Sequence, residues 1–211
     1  MKIPVLAWIG GLSSIATVVV GIVRYRKVRQ EMKVLVWFFI LSLVVDIVTL
    51  VLTLNGVNNH LVYHMRTPIE YIVLAYALSC WQRTPGRTKI VLSSILLYLT
   101  IWVIAKFSLE DLHYFDNFSR SVSSLFLVLL FSRMLYELFR DRLEGILQDF
   151  RFWVVCAVLL IHATGVVLFA TSNVVMNMPF EKMEILWKLH WSASIVASVC
   201  YIRALTCRQD P

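Results

Sequence analysis

Seven stretches of this 211-residue chain are apolar for long enough to cross a bilayer, and little lies between them. A hydrocarbon core of about 30 Å needs roughly 20 helical residues. The stretches fall near residues 3–23, 34–55, 61–83, 90–106, 119–139, 152–172 and 184–205. Inside lipid every backbone N–H and C=O must find a protein partner, so only helices and closed barrels cross. Stretches of this length predict helices. The fold expected is an all-α bundle of seven transmembrane helices, one domain over residues 1–211. Hydrophobic residues are 59% of the chain and charged residues 16%, against about 45–50% and 25% in soluble domains. No soluble catalytic or nucleic-acid-binding domain fits in the short connections.

The basic residues add an orientation. Arg24, Arg26, Lys27, Arg29 and Lys33 follow the first stretch, and Arg83, Arg87 and Lys89 follow the third. Arg133, Arg140, Arg142 and Arg151 border the connection after the fifth, and Arg203 and Arg208 close the chain. Together these are 14 of the 20 Lys+Arg. Positive charge is retained in the cytoplasm, which predicts an outside N-terminus and a cytoplasmic C-terminus in the cytoplasmic (plasma) membrane, that of a bacterial inner membrane. The net charge of +7 is explained by loops that meet membrane lipid headgroups or a cytoplasmic partner, so no nucleic acid is expected. Strong charge follows the first stretch instead of preceding it, which reads as an uncleaved first helix. Cys80, Cys156, Cys200 and Cys207 fall toward the cytoplasmic half and form no CxxC pair, so neither disulfides nor a zinc ribbon are expected. Trp8, Trp37, Trp81, Trp102, Trp153 and Trp187 stand near stretch ends, where an amphipathic ring prefers the interface.

Four ionisable residues lie well inside the stretches: Asp46, Glu70, His162 and His190. Counted from the cytoplasmic ends at 1.5 Å per residue, their heights are roughly 18, 20, 15 and 22 Å. One layer could hold all four. Charge at that depth costs from about 3 kcal/mol upward, so such groups face the interior and pair. Ser42 precedes Asp46 by one turn and Ser194 follows His190 by one turn, each a polar neighbour on the same face. The set could carry a proton relay, hold a polar ligand headgroup, or bind a divalent metal such as Zn through Asp46, Glu70, His162 and His190. Plainer uses exist: Glu70 as a helix cap, His162 as a packed core histidine, and Lys188 beside His190 paired with Glu184 at i,i+4. Asp46 has no cheap structural use.

The third stretch is irregular. Thr67-Pro68-Ile69-Glu70 has the chemistry of a helix start, with Thr as N-cap, Pro in the first turn and Glu closing a capping box. A helix from there to Arg83 is short for a span, so residues 56–66 would dip into an outward-opening vestibule. The alternative is one helix beginning at Leu61 and kinked at Pro68. His60, His64 and His113 are either ligands at the mouth or solvated loop residues. Pro85-Gly86 reads as a turn, and Arg133 with Glu137 as a snorkelling i,i+4 pair.

Asn58-Asn59, His64, Thr67-Pro68-Ile69-Glu70 and His190-Trp191-Ser192 resemble elements of a family of small bacterial seven-helix membrane proteins to which no activity is attached. That resemblance would join His64, Glu70 and His190 in a shared outer cluster. Ser42, Asp46 and His190 are also similar to part of the Ser, Asp and His set around zinc in membrane hydrolases related to alkaline ceramidases and progestin receptors. There the last helix carries HxxxH, and here it reads His190 then Ser194. Retinal is not expected, because Val196-Ala197 occupy the middle of the last stretch and Lys188 lies in its first turns. The function expected is receptor- or sensor-like binding of a small-molecule or lipidic ligand in an outward-facing polar pocket. The alternatives are a metal-dependent intramembrane lipid hydrolase and a proton- or ion-coupled transporter, so an enzyme is not the leading reading.

Overall fold

The computed structural model describes residues 4–112, 114, 116–141, 145–170 and 180–207. Seven α-helices occupy them: α1 (Val5–Arg24), α2 (Gln30–Leu54), α3 (His60–Cys80), α4 (Pro85–Ser108), α5 (Asn117–Asp141), α6 (Phe150–Ala170) and α7 (Phe180–Thr206), with a 3-10 turn at Ile146–Gln148. Among the described residues there is no strand. All but α3 are long and apolar enough to cross a membrane, the make-up of a multi-pass membrane protein. The outward faces agree: Leu12, Val23, Leu54, Leu96, Phe107, Leu129, Ile185 and Val199 are all exposed. A soluble protein rarely exposes an apolar surface so continuous.

Helices adjacent in sequence pack on one another, α7 packs on α1 to close a ring, and α3 packs across it onto α5. Side chains fix which ends meet. The Arg24 guanidinium donates to the Leu205 and Thr206 carbonyls at 3.4 and 3.0 Å, satisfying the last turn of α7 with a cation where the helix dipole favours one. Trp81 at the end of α3 stands edge-on to Phe150 at the start of α6, 5.9 Å between centroids. Glu137 of α5 accepts from Arg133 at 3.4 Å, as its spacing predicts, and also from Arg87 of α4 at 2.9 Å. The Lys- and Arg-rich connections thus collect at one end, here the basic end.

The packing centre belongs to α3, whose Tyr71, Leu74, Ala75 and Leu78 are buried. Tyr71 stacks on Tyr98 of α4 at 4.3 Å and donates its hydroxyl to Ser94 at 2.9 Å. The inward face of α3 also carries polar side chains that lipid would reject, among them the buried His64 and Thr67, while Leu61, Met65 and Ile69 stay exposed on the other face.

Three expectations change. First, α3 begins at His60 and runs through Pro68, so residues 60–66 are helical and Thr67 is not an N-cap. Proline removes only one i→i−4 donor; Thr67 and Pro68 are both buried, and packing outweighs that loss. Glu70 is therefore no capping residue. The continuous-helix alternative describes α3. Second, Pro85 is the first residue of α4 and not a turn residue, since its fixed φ suits a first helical position. Third, Trp8 and Trp37 are exposed but Trp81 is buried, drawn inward by Phe150. All four cysteines are free.

Candidate functional site

Asp46, Glu70, His162 and His190 sit roughly 12–15 Å inside the ends of α2, α3, α6 and α7 that lie away from the basic end. Glu70 and His162 face each other, with Oε1 3.9 Å from Nε2 and side chains only 16% and 7% exposed. The other imidazole nitrogen, Nδ1, is 3.3 Å from the Ser124 hydroxyl of α5. His190 approaches from α7, its Nδ1 3.2 Å from the Thr164 hydroxyl and its ring edge-on to Phe169 and Trp187. The charge on Glu70 feels His162, Arg66, Arg120 and His190. Arg120 lies against aromatic faces, 4.4 Å from the Phe169 centroid and 5.8 Å from that of Tyr63, where the ring quadrupole attracts a cation.

Asp46 joins this layer through an intermediary. Its carboxylate pairs with the Arg66 guanidinium, one turn before Glu70 on α3. The structure thus sets Glu70 against His162, holds His190 at Thr164 of the helix that carries His162, and places Asp46 behind Arg66. Ser194 turns its hydroxyl to its own helix, donating to the His190 carbonyl at 2.9 Å. Ser42 is half-buried one turn before Asp46. Among the described residues no group of three or more His, Cys, Asp or Glu is arranged to hold a metal ion.

His64 belongs to a second network closer to the end of the bundle. It is buried on α3, not solvated in a loop. Lys106 of α4 donates to Nδ1 at 2.5 Å, leaving the Nε2–H to donate to the Tyr114 carbonyl at 2.9 Å. Lys106 also pairs with Glu110, whose carboxylate accepts from the Ser119 N–H at 2.8 Å and the Ser119 hydroxyl at 2.6 Å. The first of those bonds satisfies an orphan backbone N–H in the first turn of α5. Thr67 donates to Asp116, itself buried, whose Oδ1 has no partner among the described residues. His113 lies outside the described residues.

Sequence reasoning missed Arg120, Lys106 and the pairing role of Arg66. One signal was available: Arg66 and Glu70 are four residues apart, so a continuous helix puts both on one face. Gly165 supports the layer from behind. A Cβ there would stand 3.3 Å from Ser124 Oγ and 3.7 Å from the Phe169 ring. We expect Gly165→Leu to destabilise the protein by about 1–3 kcal/mol through overpacking. Adding Ser124→Ala should recover part of the loss in a thermal unfolding series; no recovery would mean that the pressure falls elsewhere.

Comparison with protein-family models, with curated proteins and with solved structures finds no match to this chain.

Proposed function

We propose that this is a receptor- or sensor-like protein of the cytoplasmic membrane of a bacterium, its N-terminus outside and its C-terminus in the cytoplasm. It admits a small or lipidic ligand from the outer side to the layer of Asp46, Glu70, His162 and His190. The orientation follows the charge bias between the two ends of the bundle. One observation carries the binding reading: Glu70 faces His162 across 3.9 Å, with both side chains largely buried. That separation is too long for a hydrogen bond, so a polar ligand group entering between them gains partners that the free protein leaves half-used. Charged groups in a lipid-embedded bundle mark functional sites for this reason.

The test is thermal unfolding of purified protein with fatty acids, isoprenoid alcohols, and small amines and carboxylates. A ligand at 100 times its Kd stabilises by about 2.7 kcal/mol. We expect one class to raise the melting temperature in wild type and to lose that effect in Glu70→Gln and His190→Ala. No shift from any class, with both variants melting as wild type does, would reduce the layer to packing. The opposed carboxylate and imidazole also favour a second reading, proton-coupled transport through Glu70, His162 and Ser124. Proton flux in liposomes that vanishes in Glu70→Gln would select it. No contact favours the zinc-dependent hydrolase, because Asp46 is engaged by Arg66.

A further inference from the structure

A cleft of about 550 Å³ opens between α1 and α2 at the basic end, far from the layer of Glu70 and His162. Ile22, Val23 and Ile40 make its walls apolar, and Tyr25, Arg26, Lys27 and Trp37 form its rim. The rim is ordered. The Trp37 indole N–H donates to the Tyr25 hydroxyl at 2.9 Å, with the two rings edge-on at 6.3 Å. Lys33 places its ammonium 5.7 Å from the Tyr25 centroid, adding a third cation beside the opening. Beside the cleft the helices meet closely, where a Cβ on Gly21 would come within 3.1 Å of Val36.

The rim is also uncompensated. The next arginine, Arg29, pairs with Glu31 at 2.9 Å, and Arg87 with Glu137 at the same distance. Arg26 and Lys27 are exposed, and among the described residues no carboxylate lies within ion-pair distance of either. An apolar slot along two helices, ending in unpaired cations and an amphipathic Tyr–Trp pair, matches a lipid in three parts: acyl chain, glycerol level and headgroup. A zwitterionic headgroup would leave the cations without a net partner.

We propose that this cleft binds one diacyl phospholipid with an anionic headgroup, its acyl chain along Ile22, Val23 and Ile40 and its phosphate at Arg26 and Lys27. The experiment compares full-length protein in phosphatidylcholine bilayers with and without phosphatidylglycerol, reading melting temperature and lipid retained in native mass spectrometry. Phosphatidylglycerol raises the melting temperature and is retained on wild type. An Arg26→Gln/Lys27→Gln double variant weakens retention about 30-fold, the equivalent of about 2 kcal/mol for two surface cations. Lys89→Gln, an exposed lysine of α4 at the same end, leaves retention unchanged. Val23→Trp fills the slot from its exposed side, keeps both cations, and displaces the lipid. The proposal is overturned if phosphatidylglycerol gives no shift, if Lys89→Gln loses as much as the double variant, or if Val23→Trp retains the lipid. It is equally overturned if glycerophosphate added to phosphatidylcholine bilayers reproduces the whole shift, since that would be an anion site needing no acyl chain.

Discussion

Lys106→Met should destabilise the protein by about 3–5 kcal/mol, more than any other single substitution in the polar layers of the bundle. The ammonium is the charge partner of Glu110, and the two side chains are only 9% and 5% exposed. Removing one partner of a buried pair strands the other charge, a costlier change than removing both. Glu110 would keep its two hydrogen bonds from Ser119, but neither supplies a compensating charge. His64 would lose the donor at its Nδ1 as well. The double variant Lys106→Met/Glu110→Gln should therefore recover more than half of the loss, because the amide can still accept from Ser119 without carrying charge. Reversible unfolding in bilayer-mimicking micelles measures the cycle. A single-variant loss below about 1 kcal/mol would mean that water reaches the pair and screens it.

This network also marks where reading the chain stops. Six of the apolar stretches give helices long and apolar enough to cross a membrane, so those six follow from length and hydropathy alone; α3 forms a helix without meeting that standard. The depth of Asp46, Glu70, His162 and His190 was legible too, since height in a helix is a count of residues. Partners were not. Asp46 could be aligned with the imidazoles by depth, but helix rotation decides which face it presents, and rotation turned it to Arg66. Glu110 and Asp116 lie between the fourth and fifth apolar stretches, yet both side chains are buried, because α4 offers Lys106 to the first and α3 offers Thr67 to the second. Thr67-Pro68 carried a strong local start signal that tertiary packing overrode. Local chemistry names what a residue can do, and the neighbouring helix decides what it does.

Asp46→Ala carries the second large effect, about 2–3 kcal/mol of lost stability. It leaves Arg66 without its ion-pair partner while that guanidinium remains largely covered, its side chain 19% exposed and its Nε already buried without a partner among the described residues. The cost falls below that for Lys106 because protein encloses this pair less, Asp46 being 44% exposed, and because a second carboxylate stays near the stranded guanidinium. Arg66 then has one carboxylate left within electrostatic reach, Glu70, one turn away on the same helix. Turning toward it would draw Glu70 from His162 and couple two positions that share no direct contact. The coupling is measurable. Asp46→Ala and Glu70→Gln should depart from additivity by more than about 0.5 kcal/mol, the scatter expected of independent sites, and the charge-swapped Asp46→Arg/Arg66→Asp variant should regain part of the stability. Additive losses with no regain would show that Asp46 and Arg66 hold only each other, leaving the opposed Glu70 and His162 to account for any ligand binding alone.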